Sequence, residues 1–177
     1  MQRSYLVATL LVTLLGFAAS AAPAQADWTQ FSSFDGEFAA LFPQSPEDNA
    51  DSGVTGGVTA TTHILAASNV DVFCSVSYTD YSPRLNADPI DEMESSRENF
   101  LSQFHAVLIE SHASILEHAR GDALPALAFS ATNEDDMFKL FVAVDGSRSY
   151  MVLAASEKIH PDAADMDRCI DGFHLTR

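Results

Sequence analysis

Two Asp-Gly pairs, Asp35-Gly36 and Asp145-Gly146, each stand between two runs of strand-forming residues. Both residues of such a pair tolerate positive φ, so they favour a tight turn whose twist matches an antiparallel pair. Trp28 to Phe34 and Phe38 to Phe42 flank the first; Phe138 to Val144 and Ser149 to Ala155 flank the second. Strands joined this closely must be antiparallel, because a parallel pair needs a long crossover.

Period-two patterning continues between the pairs. Val70, Val72, Cys74, Val76 and Tyr78 alternate with Asp71, Ser75, Ser77 and Thr79, as in a half-buried strand. Phe73 is the one exception on the polar side. Val58 to Ala67, rich in Thr and apolar residues, reads as a strand. Pro43 and Pro46 end the strand that begins at Phe38. Asn49 to Gly57 is polar and contains glycine; an exposed, mobile loop is expected there, and a second loop over Tyr81 to Ala87. Leu108 to His118 fits a strand or a continued helix. A strand is preferred, with Gly121-Asp122 turning into Leu124 to Ala131.

Two helices punctuate the strands. Asp88 is placed to cap the first, and Pro89 sits where its missing N–H is not needed. Asp91 and Glu92 suit the positive end of the helix dipole. Ile90, Met93, Arg97, Phe100 and Phe104 recur at 3-4-3-4 spacing and share one face, which Leu101 widens. Arg97 can lay its stem along the edge of that face. Pro161 opens a shorter helix, in which Ala163, Met166, Ile170 and Phe173 recur at 3-4-3 and Gly172 suits the C-terminal cap. The fold class is α+β: a mostly antiparallel sheet with an N-terminal β-hairpin and two helices packed on it.

The 177-residue chain is 47% apolar, which excludes an intrinsically disordered protein. Its 25 acidic against 9 basic residues give a net charge of −16, which argues against a nucleic-acid partner. Residues 1–26 read as a signal peptide. Arg3 provides the positive start, Tyr5 to Ala19 the apolar stretch, and Ala24-Gln25-Ala26 the small-x-small cleavage pattern. The apolar stretch is about 15 residues, where a membrane span needs roughly 20. Cleavage between Ala26 and Asp27 leaves no cysteine to be lipidated, and no later stretch is apolar enough to span a membrane. Removing Arg3 makes the exported chain one unit more negative. Residues 27–177 show no linker and read as one domain, located in the periplasm or secreted.

The segment Phe34-Asp35-Gly36-Glu37-Phe38, running to Phe42-Pro43, resembles the start of the PsbP-like fold. Asp145-Gly146 to Tyr150-Met151 and a short terminal helix closing on Phe173 follow the same order. The outline is similar to many uncharacterised secreted bacterial proteins. The resemblance implies a sheet sandwiched by helices and an accessory, partner-binding role. It assigns no functional residue.

Cys74 and Cys169 both meet an oxidising compartment after export. Cys74 is on the apolar side of its strand, and Cys169 is near Met166 and Phe173. The favoured reading is a disulfide, closing a loop of about 95 residues. The chain-entropy model values such a loop at roughly 4 to 5 kcal/mol. Two separate buried thiols are the alternative.

Other chemistry is sparse. His63, His105, His112, His118, His160 and His174 include no His-x-x-x-His or His-Glu-x-x-His pair. Glu110 and His112 share one face of a strand, with Glu117-His118 nearby; a polar edge is preferred to a zinc site. Glu134-Asp135-Asp136, and Asp162, Asp165, Asp167 and Asp171, lack the spacing of a calcium loop and read as solvated turn and helix-start acids. Gly-x-Ser-x-Gly is absent, and Gly53 to Gly57 lacks the lysine of a phosphate loop. Trp28, Phe31, Phe34, Phe38 and Phe42 read as hairpin core rather than a ligand-stacking patch. No cofactor or metal is called for.

These features lead to an exported soluble protein that binds an unidentified protein or small molecule without catalysis, as an accessory protein of the cell envelope. The alternative is a hydrolase-like periplasmic enzyme using a carboxylate or His112. N-terminal sequencing of the exported protein is expected to begin at Asp27; a chain that retains Met1 would remove the leader reading.

Overall fold

Phe138, Leu140, Val142 and Val144 point to one side of their strand, and Lys139, Phe141 and Ala143 to the other; all seven are buried or half-buried. A strand covered on both sides belongs in the middle of a layered structure. The computed structural model describes residues 28–55, 57–84, 87–117, 121, 123–145, 147–159 and 161–177. The leader and the Ala26–Asp27 junction lie outside them, as do His118, Asp122, Gly146 and His160. In chain order the elements are β1 (Thr29–Ser33), β2 (Phe38–Phe42), β3 (Glu47–Thr55), β4 (Val58–Ser68), β5 (Phe73–Ser82), α1 (Pro89–Gln103), β6 (Val107–Glu117), β7 (Ala123–Thr132), β8 (Asp136–Asp145), β9 (Arg148–Glu157), α2 (Ala163–Asp171) and β10 (His174–Leu175).

The sheets are antiparallel and the fold is sheet-rich α+β. Seven strands run in the order β3-β4-β5-β9-β8-β7-β6, and three more in the order β1-β2-β10. The larger sheet is two meanders, β3-β4-β5 and β6-β7-β8-β9. One seam joins them, where β5 pairs β9 with Cys74 opposite Ala154 and Tyr78 opposite Tyr150. Helix α1 carries the chain from the seam to the far edge at β6. It packs on β7 and β8, where Met93 and Phe100 meet Phe129, Phe138 and Leu140. Helix α2 packs on the opposite face, on β9, β8 and β5, with the small sheet beside it. Phe38, Phe42, Val76, Val152 and Met166 fill that layer.

The helices start as their sequences demand. The Asp88 carboxylate accepts from the Ile90 N–H at 2.9 Å, ahead of Pro89. The Asp162 carboxylate accepts from the Asp165 N–H at 2.9 Å. Of the expected apolar face of α1, Met93 and Phe100 are buried, while Ile90 and Phe104 stay exposed. Arg97 reaches across to β6, donating to Ser111 Oγ at 3.3 Å. Gly172 caps α2 with an ordinary right-handed φ of −73°, so backbone freedom is not its reason. A Cβ there would lie 2.7 Å from Leu41 Cβ, and only glycine lets β2 approach the helix end.

Three expectations are corrected. Residues 49–55 are not a loop but most of strand β3, paired with β4 from Glu47↔Ala66 to Thr55↔Val58. Thr55 pairs with Val58, so the two strands join in a tight hairpin, with Gly57 at φ 82°. The strand escapes pattern reading because it is exposed and buries no apolar stripe. Val70 is 97% exposed in a turn, because Asn69 Oδ1 captures the N–H groups of Asp71 and Val72 and delays β5 to Phe73. The turn positions also slide. Asp145 pairs with Arg148, so both strands run one residue further toward the turn than expected. Ser33 pairs with Phe38, and Glu37 takes the left-handed conformation at φ 57°.

Cys74 of β5 and Cys169 of α2 are both fully buried, with their Cα atoms 5.9 Å apart and their sulfurs at bonding distance. The pair ties α2 to the seam. Oxidised protein is expected to weigh two hydrogens less than the reduced form. Replacing both cysteines with serine should lower unfolding free energy by about 2–5 kcal/mol in a denaturant titration. Two alkylatable thiols in exported protein would contradict this pairing.

Candidate functional site

Period two carries Glu110, His112, Ser114 and Leu116 of β6 toward the α2 side of the sheet. Helix α2 stands over β9, β8 and β5, and on that side β10 approaches β6 without covering all of it. A cleft of about 530 Å³ results, and Glu110, His112, Glu117, Asp171 and His174 line it. Lys139 also lines it, ion-paired with Asp167. The cleft thus gathers the β6 residues singled out by their spacing. Among the described residues, no three His, Cys, Asp or Glu side chains assemble so as to hold a metal ion.

The remaining acids and aromatics have local roles. Asn133 Oδ1 accepts from the N–H groups of Asp135 and Asp136, which makes the 133–136 run a capped turn. Asp162 is the cap of α2. Phe38 and Phe42 are buried, Trp28 faces the Arg168 guanidinium at 4.9 Å, and Phe34 faces that of Arg177 at 4.1 Å.

A second concavity lies on the opposite face, beside α1. That helix packs mainly on β7 and β8, so the α1 side of β9, β5 and β4 has little helical cover. The groove is about 680 Å³. Met151, Leu153 and Ala155 of β9 form its floor with Phe73 of β5 and Ile64 of β4, and Ser96, Asn99, Phe100 and Gln103 of α1 form one wall. Phe73 is 39% exposed and Ile64 44%. Phe73 is the residue that breaks the polar side of its strand. Its position on the groove floor accounts for that exception. The half-buried residues of β9 carry no such mark, since alternating apolar residues look the same whether a helix covers them or not.

The third feature is an ionic cluster between the two sheets. Arg148 donates to Asp80 from Nε at 2.6 Å and from Nη2 at 2.8 Å, a two-pronged contact. Its guanidinium lies 4.9 Å from the Tyr78 ring centre, and Tyr78 stacks on His63 at 4.7 Å. Glu37 accepts from Arg177 at 3.0 Å and lies 3.9 Å from Arg148. The hydrogen bonds to Asp80 hold Arg148 well above the ordinary arginine range, so it stays charged. Both arginines have carboxylate partners, and the cluster reads as a clamp between layers rather than an anion site.

Burial lifts the phenols of Tyr78, Tyr81 and Tyr150 above their ordinary value of 10.0. The native state therefore keeps protons that the unfolded chain releases near pH 10, and the associated stability is complete below that pH and lost as pH rises beyond it. Phenolate absorbance of folded protein is expected to lag that of urea-unfolded protein, with stability falling above pH 10. Coincident titration curves would contradict this burial. No protein-family model matches the chain, and no curated protein matches it.

Proposed function

We propose that this is an exported, non-catalytic binding protein of the cell envelope, which holds an apolar or amphipathic ligand in the groove beside α1. The observation that carries the reading is the groove floor. Met151, Leu153 and Ala155 of β9 and Phe73 of β5 form an apolar strip that α1 only partly covers, with Ser75 and Ser77 of β5 between it and Ile64. A volume of about 680 Å³ is in the range that encloses a small organic ligand. Serine, asparagine and glutamine along the rim can orient a polar end without a charge.

Three further points support the reading. The leader sequence sends the chain out of the cytoplasm, and a disulfide-capable pair suits an oxidising compartment. A sheet with a helix on each face is the arrangement that the resemblance to PsbP-like proteins implies, and that fold is associated with accessory roles. The open groove is the kind of surface by which such a protein takes a partner.

An environment-sensitive apolar dye, anilinonaphthalene sulfonate, tests the site. It is expected to saturate at one equivalent on cooperatively folded protein, and Leu153→Glu should weaken it at least tenfold with the circular dichroism unchanged. Fluorescence that ignores Leu153→Glu, or appears only as the protein unfolds, would sink the reading.

A further inference from the structure

The groove beside α1 is uncharged along its helical wall and charged at one end. Ser96, Asn99 and Gln103 of α1 carry no charge, and among the described residues Asp136 is the one charged side chain lining it. A smaller depression of about 170 Å³ adjoins the groove there. The two share Phe73, Asp136 and Ala155, and the depression adds Asp71 and Glu157. Asp136 of β8 and Glu157 of β9 stand directly opposite each other, so both carboxylates leave the face that carries Phe138 and Ala155. Like charges so placed repel, and a cation between them relieves the repulsion. Among the described residues, none of the three carboxylates has an ion-pair partner. Lys158, next in sequence to Glu157, donates instead to the Asn133 carbonyl at 3.1 Å.

Two further features favour the same sign of charge. Helix α1 ends on this side, where the Phe104 carbonyl accepts from Asn133 Nδ2 at 3.2 Å, and its last turn holds no basic residue. The C-terminal carbonyls of the helix add partial negative charge. Phe73 and Phe104, both exposed, lie one cross-strand row from the acid pair: Phe73 is opposite Ala155, and the Phe104 ring is 5.7 Å from that of Phe138. Exposed ring faces beside carboxylates suit a quaternary ammonium. From there the apolar floor runs back along β9 through Ala155, Leu153 and Met151, and Glu157 to Met151 is roughly 20 Å of strand. We propose that the groove takes a monomeric amphiphile with a cationic head group, its ammonium at Asp136 and Glu157 and its apolar chain along Ala155, Leu153 and Met151. An anionic head would meet three carboxylates and a helix C-terminus. Resting on the groove as the binding site, this assignment fixes the charge of the ligand's head and its direction along the sheet.

The test is calorimetric titration of exported protein with three decyl probes, each below its micelle threshold. Decyltrimethylammonium is expected to saturate at one equivalent and to bind roughly fivefold more tightly than decyl glucoside, with decyl sulfate the weakest. Asp136→Asn combined with Glu157→Gln should weaken decyltrimethylammonium roughly fivefold and leave decyl glucoside within about twofold. Glu110→Gln combined with Glu117→Gln, in the cleft on the other face, should leave both unchanged. Leu153→Gln, which adds no charge, should weaken all three. Equal affinity of the three probes, or equal loss in the two double variants, would overturn the cationic head while leaving the groove in place. Binding that ignores Leu153→Gln, or no binding of any probe, would remove the groove and the head-group assignment together.

Discussion

The seam between β5 and β9 is the pairing on which the rest of the structure depends. Every other neighbour in the large sheet follows its partner directly in sequence, as hairpins and meanders do. Within that sheet, β5 and β9 alone must find each other across a long stretch of chain. Joined there, the meanders β3-β4-β5 and β6-β7-β8-β9 become one surface wide enough to carry a helix on each face. The seam is also where burial is deepest: Cys74, Val76, Val152 and Ala154 are all inaccessible to solvent. The disulfide and the Arg148–Asp80 contact are added along this same line, one toward each end of the paired segment.

From that seam outward, cover becomes unequal. Helix α2 and the small sheet close most of the side that carries Cys74 and Tyr150. On the other side α1 lies over β7 and β8 and stops, which leaves a strip about as wide as a helix over β9, β5 and β4. The two concavities are thus by-products of one mismatch, a broad sheet with a single short helix per face. One concavity is apolar, because the central strands β9 and β5 bring half-buried residues to its floor. The other is mixed, because the edge strand β6 adds Glu110 and His112 to a lining that also includes Leu116, Phe141 and Ile170.

Much of this frame was readable in the residues. The Asp88-Pro89 start, the spacing of Met166, Ile170 and Phe173, and the alternation from Val72 to Tyr78 each state a local preference that the tertiary structure then satisfies. What could not be read had no local signature. Strand β3 has no buried stripe and pairs only because β4 offers it an edge. The hairpin connections move by a residue because cross-strand pairs such as Asp145–Arg148, and not the turn residues alone, select the register. Gly172 looked like a backbone requirement and is a packing requirement imposed by Leu41, far away in sequence. The cleft residues Glu110 and His112 were visible as a same-face pair. The groove was visible only as the anomaly at Phe73.

The position of the disulfide has a topological consequence. Cys74 and Cys169 enclose α1 and the whole β6-β7-β8-β9 meander in one covalent ring, with β1 to β4 on one tail and β10 on the other. The ring closes over the long-range pairing of β5 with β9, which is costly in chain entropy when the polypeptide searches for its fold. Once closed, the pairings left within the large sheet are local hairpins. A single backbone break within the ring, at an exposed turn, leaves the two pieces attached to each other. Oxidation would thereby turn a sheet assembled from two distant halves into a unit that behaves, toward cleavage and toward unfolding, as though its strands had been contiguous from the start.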